Sequence, residues 1–123
     1  MTLIDQLHFN ILSATQDQVV LTWSVGPEHL QPSGVVHGGV YSAAGETAAW
    51  AGAELWGGGD GRLAAASVRT TFLRPVNGGK LTVRAEPVAQ SADSQRWSAD
   101  IRTDDDDLVA QVEVLLVSVA ALD

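Results

Sequence analysis

The chain has 123 residues, of which 46% are hydrophobic and 18% charged, and it contains no cysteine. This predicts one globular domain spanning residues 1–123 and excludes both a disulfide framework and a thiolate metal site. The formal net charge of −8 argues against a nucleic-acid partner, since phosphate contact needs a basic surface. The N-terminus lacks a basic segment followed by an apolar run, so we expect a cytoplasmic protein without a membrane partner.

Two strands are predicted at the start of the chain. Residues 7–12 alternate between apolar and polar side chains, and residues 19–25 do so again after a polar turn. This pattern predicts a β-hairpin. Residues 28–34 are then predicted to form a short loop with room for one helical turn. A longer helix is not expected there, because Pro32 disfavours helix at the residue before it.

A long helix is predicted at residues 38–55. It is built mostly from glycine and alanine and carries one carboxylate, Glu46, near its middle. Small residues let strands approach a helix backbone closely, so we expect a sheet to wrap around it. Burying Glu46 is costly unless the carboxylate is paired or functional, which favours a role as nucleophile or general base. The alternative is a glutamate that faces solvent or pairs with an arginine, and Glu54, near the helix end, receives no role.

Four more strands are predicted at residues 63–73, 80–86, 95–102 and 108–120. A glycine-rich connection at 56–61 ends the helix and precedes these strands. Asn77-Gly78-Gly79 predicts a hairpin, Pro87 predicts a bulge or an edge strand, and the aspartates at 104–107 predict a charged turn. The fold class is therefore α+β, with about six antiparallel strands wrapped round one long central helix. The last strand is apolar on both faces near its end, which indicates a sheet-to-sheet contact in an oligomer.

The helix start has the features of an anion site. First-turn amides have no intrahelical acceptor and lie at the positive end of the helix dipole. Gly38 and Gly39 carry no side chains, so a ligand oxygen can reach these amides as in an oxyanion hole, or the pair simply opens a tightly packed helix. His37 either takes part in catalysis or, as we expect, braces this turn by hydrogen bonding. The Gln31 amide either positions water or the substrate carbonyl or bonds within its loop.

The spacing of the two candidate groups predicts an oligomer. Gly38 and Glu46 are eight residues apart, which is about 12 Å along a helix. One carbonyl cannot contact both groups of the same helix, but two antiparallel helices from two subunits can bring Gly38 of one near Glu46 of the other. We therefore predict a symmetric dimer with paired composite sites.

Other catalytic patterns are missing from the sequence. The three histidines show no metal-ligand spacing, so no metal is expected. Ser42 and Thr47 follow no nucleophile-elbow pattern, which disfavours a Ser-His-Asp hydrolase.

Four segments resemble a known family: Val36-His37-Gly38-Gly39, Gly45-Glu46-Thr47, Thr71-Phe72-Leu73-Arg74-Pro75-Val76 and Asn77-Gly78-Gly79-Lys80. They are similar to the hot-dog-fold acyl-CoA thioesterases. Within these they resemble the branch that contains the phenylacetate-pathway thioesterases and the Arthrobacter-type 4-hydroxybenzoyl-CoA thioesterase. The resemblance extends over residues 7–119.

The resemblance implies hydrolysis of an acyl-CoA without metal or cofactor. Gly38 matches the glycine whose amide polarises the thioester carbonyl, and Glu46 matches the catalytic carboxylate, acting as nucleophile or as general base on water. Gln31 matches a glutamine near the carbonyl, and His37 matches the motif histidine that supports the site. The resemblance also implies active sites at a dimer interface and a homotetramer made of two dimers.

Two positions depart from the branch and bear on the substrate. Trp50 stands where Ser or Thr is frequent, and Phe72 stands where some relatives have His. Both changes make the pocket drier and indicate an aromatic or otherwise apolar acyl group, although plain core packing is an alternative for Trp50. Arg74 and Lys80 are candidates for binding the CoA phosphates, and Gly39 for a substrate contact at the helix start. Weaker cationic candidates are Arg69, Arg84, Arg96 and Arg102.

Two other functions fit the same fold. A hot-dog dehydratase or hydratase would need a catalytic His paired with Glu or Asp in a different motif, which the sequence lacks. A non-catalytic acyl-CoA-binding module usually carries a DNA-binding segment, which we do not expect in a chain of this length. The sequence leaves open the acyl group, the covalent or general-base role of Glu46, and the choice between dimer and tetramer.

Overall fold

The computed structural model describes residues 1–57 and 62–119. In chain order the elements are α1 (Leu3–Gln6), β1 (Asn10–Ala14), β2 (Val19–Ser24), a 3-10 turn (Pro27–His29), α2 (Gly38–Trp56), β3 (Leu63–Phe72), β4 (Lys80–Gln90), β5 (Ser94–Thr103) and β6 (Leu108–Ser118). The six strands form one antiparallel sheet in the order β1-β2-β4-β5-β6-β3, and α2 contacts all six of them. The predicted hot-dog architecture is confirmed.

The small residues of α2 explain how closely the sheet packs on it. Four alanines on its inner face have no exposed surface: Ala44, Ala48, Ala49 and Ala53. A β-carbon added at Gly45 would collide with Val112, and one added at Gly52 would collide with Trp97. The helix ends where Gly57 adopts a φ of 77°, a left-handed conformation that favours glycine. It runs one residue beyond the predicted span of 38–55.

The core lies between α2 and the inner face of the central strands. Alternation along β4 before its bulge, along β5 and along β6 from residue 110 sends every second side chain inward. The inward side chains include Leu81, Val83, Ala85, Trp97, Ala99, Ile101, Val112, Val114 and Leu116. Each fully buried aliphatic or aromatic side chain contributes roughly 1.5–3 kcal/mol of transfer free energy.

One buried polar residue fixes the end of α2 on the sheet. Gln95 is 1% exposed, and its Nε2 donates to the Ala53 carbonyl at 3.0 Å. Its Oε1 accepts from the Trp97 indole Nε1 at 2.9 Å. A carbonyl from the last turn of the helix and a buried indole N–H are thereby both satisfied.

The first hairpin differs in position from the prediction. β1 and β2 do pair, with Asn10 opposite Thr22, but β1 begins three residues later than expected. Leu7 and Phe9 pack against the core from outside the strand. The preceding segment forms α1, which the alternation did not predict. A capping box between Thr2 and Asp5 starts this short helix.

The predicted hairpin at 77–79 is wrong. β3 pairs with β6 at one edge of the sheet, whereas β4 lies between β2 and β5. The connecting residues instead hydrogen-bond to the loop before α2, with the Val36 N–H donating to the Val76 carbonyl and the Val25 N–H to the Gly79 carbonyl, both at 2.8 Å. A turn is present, since Gly79 has a left-handed φ of 86°, but it lies in a loop that connects two strands that are not neighbours in the sheet, β3 and β4.

The later strands lie near their predicted positions, although β4 runs to Gln90, four residues beyond its predicted end. The register of β4 shifts between Pro87 and Ala89, which confirms a bulge, and a turn at 104–107 joins β5 to β6. On the outer face of β6, Gln111 and Glu113 are exposed and only its end is apolar. Most of the predicted connection, at 58–61, and residue 120 lie outside the described residues. Neither helix in the described ranges has the length and apolarity that crossing a membrane requires.

Candidate active site

His37 caps the start of α2. Its Nδ1 accepts a hydrogen bond from the Gly39 N–H at 2.8 Å, so the ring proton of this neutral tautomer is on Nε2. The backbone N–H of His37 donates to the His29 carbonyl at 2.8 Å, and its carbonyl accepts from Val40 at 2.9 Å. The ring therefore braces the turn. The Gly39 N–H already donates to this ring and is not available to bind substrate.

Gly38 keeps a free amide. Its N–H finds no acceptor anywhere in residues 1–57 and 62–119, unlike the amides of Gly39 and Val40. It is the first residue of a 19-residue helix, where the partial positive charge of the dipole is greatest. The Ser42 hydroxyl lies 2.7 Å from that of Thr70, which ties this first turn to β3. The helix thus presents one pre-positioned hydrogen-bond donor.

The Gly38 amide borders a cavity of about 530 Å³, which we call the Gly38 cavity. Gln31, Tyr41, Phe72 and Arg74 also line it, together with aliphatic residues of the two adjoining loops. The Phe72 ring lies so close that a β-carbon on Gly38 would come within 2.7 Å of its Cζ. The absence of a side chain at position 38 is therefore what lets the ring and the cavity approach the helix start.

Gln31 is half-buried in the wall of the Gly38 cavity. Its Nε2 donates to the Ser33 hydroxyl at 2.9 Å, and its backbone N–H donates to the Val35 carbonyl at 2.9 Å. The local bond that the sequence left as an alternative is present. Its Oε1 has no donor among the described residues, so this oxygen remains available to accept from a water or a ligand.

Tyr41 was missed by the sequence reasoning. It lies three residues after Gly38, hence on the same side of the helix, and it is 3% exposed. Its hydroxyl has no hydrogen-bond partner in the part of the chain that the structure describes, and burial raises the pKa of this phenol. Its ring packs against Phe72 with a centroid distance of 6.2 Å. The i, i+3 spacing from Gly38 was the available signal.

Glu46 lies in a second cavity, of about 390 Å³, which we call the Glu46 cavity. The cavity is also lined by Thr47 and Trp50 from α2 and by Ile4 from α1, and residues at the start of β3 and near the end of β6 complete its wall. Apart from Glu46 and Thr47 the lining side chains are apolar: Ile4, Trp50, Leu63, Ala64, Ala65 and Leu116. Trp50 is 40% exposed, so it forms a cavity wall and is not plain core packing.

Glu46 is not buried within its own subunit, and of the two possibilities that the sequence left open the solvent-facing one is observed. The sheet covers the alanine face of α2, and Glu46 lies on the uncovered face, where it is exposed. It makes no ion pair or side-chain hydrogen bond with the described residues, so the arginine-paired alternative does not hold there either. The carboxylate is free and stands against an apolar wall.

Of the two main predicted cations, Arg74 lines the Gly38 cavity, whereas Lys80 lines neither the Gly38 cavity nor the Glu46 cavity. Arg74 lines the Gly38 cavity, with its Nη1 3.5 Å from the Asp107 carboxylate. Lys80 lies in a separate polar cleft beside His8 and Thr22. The weaker candidates also line neither cavity: Arg69, Arg84, Arg96 and Arg102.

Two histidines and a glutamate meet away from both cavities. Ligand atoms of His8, Glu28 and His29 lie within 4.8 Å of one another, which the sequence spacing did not indicate. Both ring nitrogens of His29 are engaged, however, since Nδ1 accepts from Gly26 at 2.9 Å and Nε2 donates to the Leu7 carbonyl at 2.7 Å. The cluster therefore ties the N-terminal segment to the 3-10 turn and has no free His29 lone pair for a metal.

The Thioesterase superfamily model matches residues 33–110, a segment that contains both Gly38 and Glu46. The chain belongs to the thioesterase superfamily. A Haemophilus influenzae protein with a provisional esterase name is 33% identical over 105 residues, covering 85% of this chain and 76% of the relative.

Two solved structures extend the comparison. A thioesterase from Haemophilus influenzae is 30% identical, with a TM-score of 0.86 over 98% of this chain and 84% of its own. AziG of S. sahachiroi is 34% identical, with a TM-score of 0.91 over 96% of each chain. Family membership makes this protein a thioester hydrolase.

Proposed function

We propose that this thioesterase hydrolyses an acyl-CoA in composite sites at a homodimer interface. In each site the Gly38 amide of one subunit polarises the thioester carbonyl, and Glu46 of the partner subunit supplies the reacting carboxylate. The observation that carries the proposal is that the free donor and the free carboxylate lie in separate cavities of one chain, about 12 Å apart along α2. Neither cavity alone holds both groups.

The edge strand β3 supports this mode of association. It is ten residues long, forms one edge of the sheet, and leaves its outer row of backbone groups unpaired by any described strand. Such an edge is a template for pairing with another chain. Pairing β3 with its two-fold copy would continue the sheet and set the two α2 helices antiparallel, as the composite site requires. A tetramer of two such dimers is the further assembly that the sequence resemblance implies.

The mechanism follows from the groups that are free. The thioester oxygen accepts from the Gly38 N–H, where negative charge develops as the carbonyl carbon becomes tetrahedral. Glu46 either attacks that carbon, giving an anhydride that water cleaves, or takes a proton from the attacking water. Collapse of the tetrahedral intermediate breaks the C–S bond and releases the CoA thiolate. The unpartnered Oε1 of Gln31 is available to orient the water.

The cavities also favour a substrate class. The wall of the Glu46 cavity is apolar and includes the indole of Trp50, which suits an aromatic or otherwise apolar acyl group. Arg74 lines the Gly38 cavity with an exposed guanidinium and is the cation we assign to the CoA arm. Lys80 and Gly39 have no part in this proposal.

Substitution of Glu46 tests the proposal. We expect Glu46→Ala to lower kcat ~100- to 10,000-fold, measured as thiol release from a panel of acyl-CoAs. Glu54→Ala is the matched control, because it removes another exposed carboxylate from the same helix and should leave turnover unchanged. Turnover of Glu46→Ala equal to that of the control would end this account. Tight binding of acyl-CoAs by the wild type without thiol release would favour a binding module.

A further inference from the structure

The short helix α1 has no evident structural role in the core. None of its four residues is buried, and its neighbour Met1 is 96% exposed. It is nevertheless held in a defined conformation by its capping box, in which the Asp5 N–H donates to the Thr2 hydroxyl and the Asp5 carboxylate accepts from the Thr2 N–H. A capped helix that buries no residue in the core is a candidate for a functional role.

The residues directly after α1 anchor it to the body of the protein. The Leu7 carbonyl accepts from His29 Nε2 at 2.7 Å, and His29 is 1% exposed. The Phe9 ring packs on Trp23 with a centroid distance of 5.2 Å. These contacts fix where α1 lies. They place one of its residues, Ile4, in the wall of the Glu46 cavity.

Ile4 differs from the other apolar residue of its helix. Leu3 is 61% exposed and does not line the cavity, whereas Ile4 is 36% exposed and faces the space that Glu46 and Trp50 also border. The cavity volume of about 390 Å³ is in the usual range for a small-molecule site. Ile4 thus supplies an apolar wall to this cavity from a separate segment of the chain.

We propose that Ile4 is a specificity-determining residue that limits the size of the acyl group. The inference rests on the proposed function, because it takes the Glu46 cavity to hold the acyl group. It adds the substrate class: a compact apolar acyl group that packs between the Trp50 indole and the Ile4 side chain. Longer apolar chains are selected against because the Ile4 side chain occupies part of the cavity wall.

Truncation of Ile4 should change the preference between acyl chains. Ile4→Ala removes three carbons from the wall, and one methylene in an apolar pocket is worth about tenfold or more in discrimination. We expect the ratio of kcat/KM for a long over a short straight-chain acyl-CoA to rise about tenfold or more. Leu3→Ala is the matched control. It removes an apolar side chain of equal size from the same helix and should change the ratio less than twofold.

A second variant keeps the test independent of the cavity wall itself. Thr2→Ala breaks the capping box without touching a lining side chain, and loosening α1 should raise the same ratio, though less than Ile4→Ala does. Equal ratios in Ile4→Ala and Leu3→Ala would overturn the inference while thiol release by the wild type persists. Failure of the proposed function has a different signature, namely no thiol release by the wild type with any acyl-CoA.

Discussion

The free amide of Gly38 can be deleted without disturbing the helix that carries it. Gly38 is the first residue of α2, the position at which proline is best tolerated in a helix, because its missing N–H would have no intrahelical acceptor. The residue before a proline must be extended, and His37 already has φ −64° and ψ 136°. Gly38→Pro therefore removes one hydrogen-bond donor and leaves the backbone path intact.

The expected loss can be estimated from the role of that donor. Removing one oxyanion-hole donor costs about 10²–10³ in kcat, or about 2.7–4 kcal/mol of transition-state stabilisation. We expect a loss in this range for Gly38→Pro, measured as thiol release under saturating acyl-CoA. KM should change little, because the hydrogen bond strengthens as charge develops on the oxygen.

Gly38→Ala is the control for the added carbon. A β-carbon at position 38 meets the rim of the Phe72 ring, which is 59% exposed and can move aside. Both variants introduce this carbon, but only the alanine variant retains the N–H. Equal kcat values for the two variants would refute the assignment of the Gly38 amide as the carbonyl donor, whatever their absolute activity.

Two further predictions concern buried polar groups. Tyr41→Phe removes the unpartnered hydroxyl and should stabilise the fold by about 1 kcal/mol in urea unfolding. Because burial raises the pKa of Tyr41, the unfolded chain ionises first, so wild-type stability should fall as the pH rises above about 10, and the phenylalanine variant should lack this fall. Gln95→Leu leaves the buried Trp97 indole N–H without its acceptor, whereas the Ala53 carbonyl keeps the Gly57 N–H. The substitution should lower the free energy of unfolding by about 1–3 kcal/mol, and an unchanged urea midpoint would contradict that role.

The parts of the fold that follow from local pattern could be predicted from the sequence. The alternation in β5 and β6 and the long run of small residues in α2 each define an element by their own periodicity. The sheet order could not be predicted, because the partner of β3 is decided by packing across α2 and not by the turn that follows it. The Asn77-Gly78-Gly79 turn begins β4 but does not indicate which strand lies beside it.

The placement of the candidate site residues was predicted in part for a similar reason. Glu46 and Gly38 are unusual for their positions in the helix, and their spacing alone showed that one chain could not join them. The sequence left open whether Glu46 is buried or faces solvent, because small residues occur all round α2 and the pattern does not show which face the sheet covers. Ile4 was missed because a four-residue helix has no periodicity, and its contribution to the cavity depends on anchoring contacts from His29, which lies 25 residues away in sequence.

Subunit complementation tests the composite site most directly. Glu46→Ala and Gly38→Pro homodimers are each expected to be nearly inactive. A heterodimer of the two holds one intact site, formed by Gly38 of the first variant and Glu46 of the second. After unfolding and refolding an equimolar mixture, thiol release should recover to about a quarter of the wild-type value, since half of the dimers are mixed and each has one working site of two. Activity that stays at the level of the separate variants would contradict a site shared between subunits.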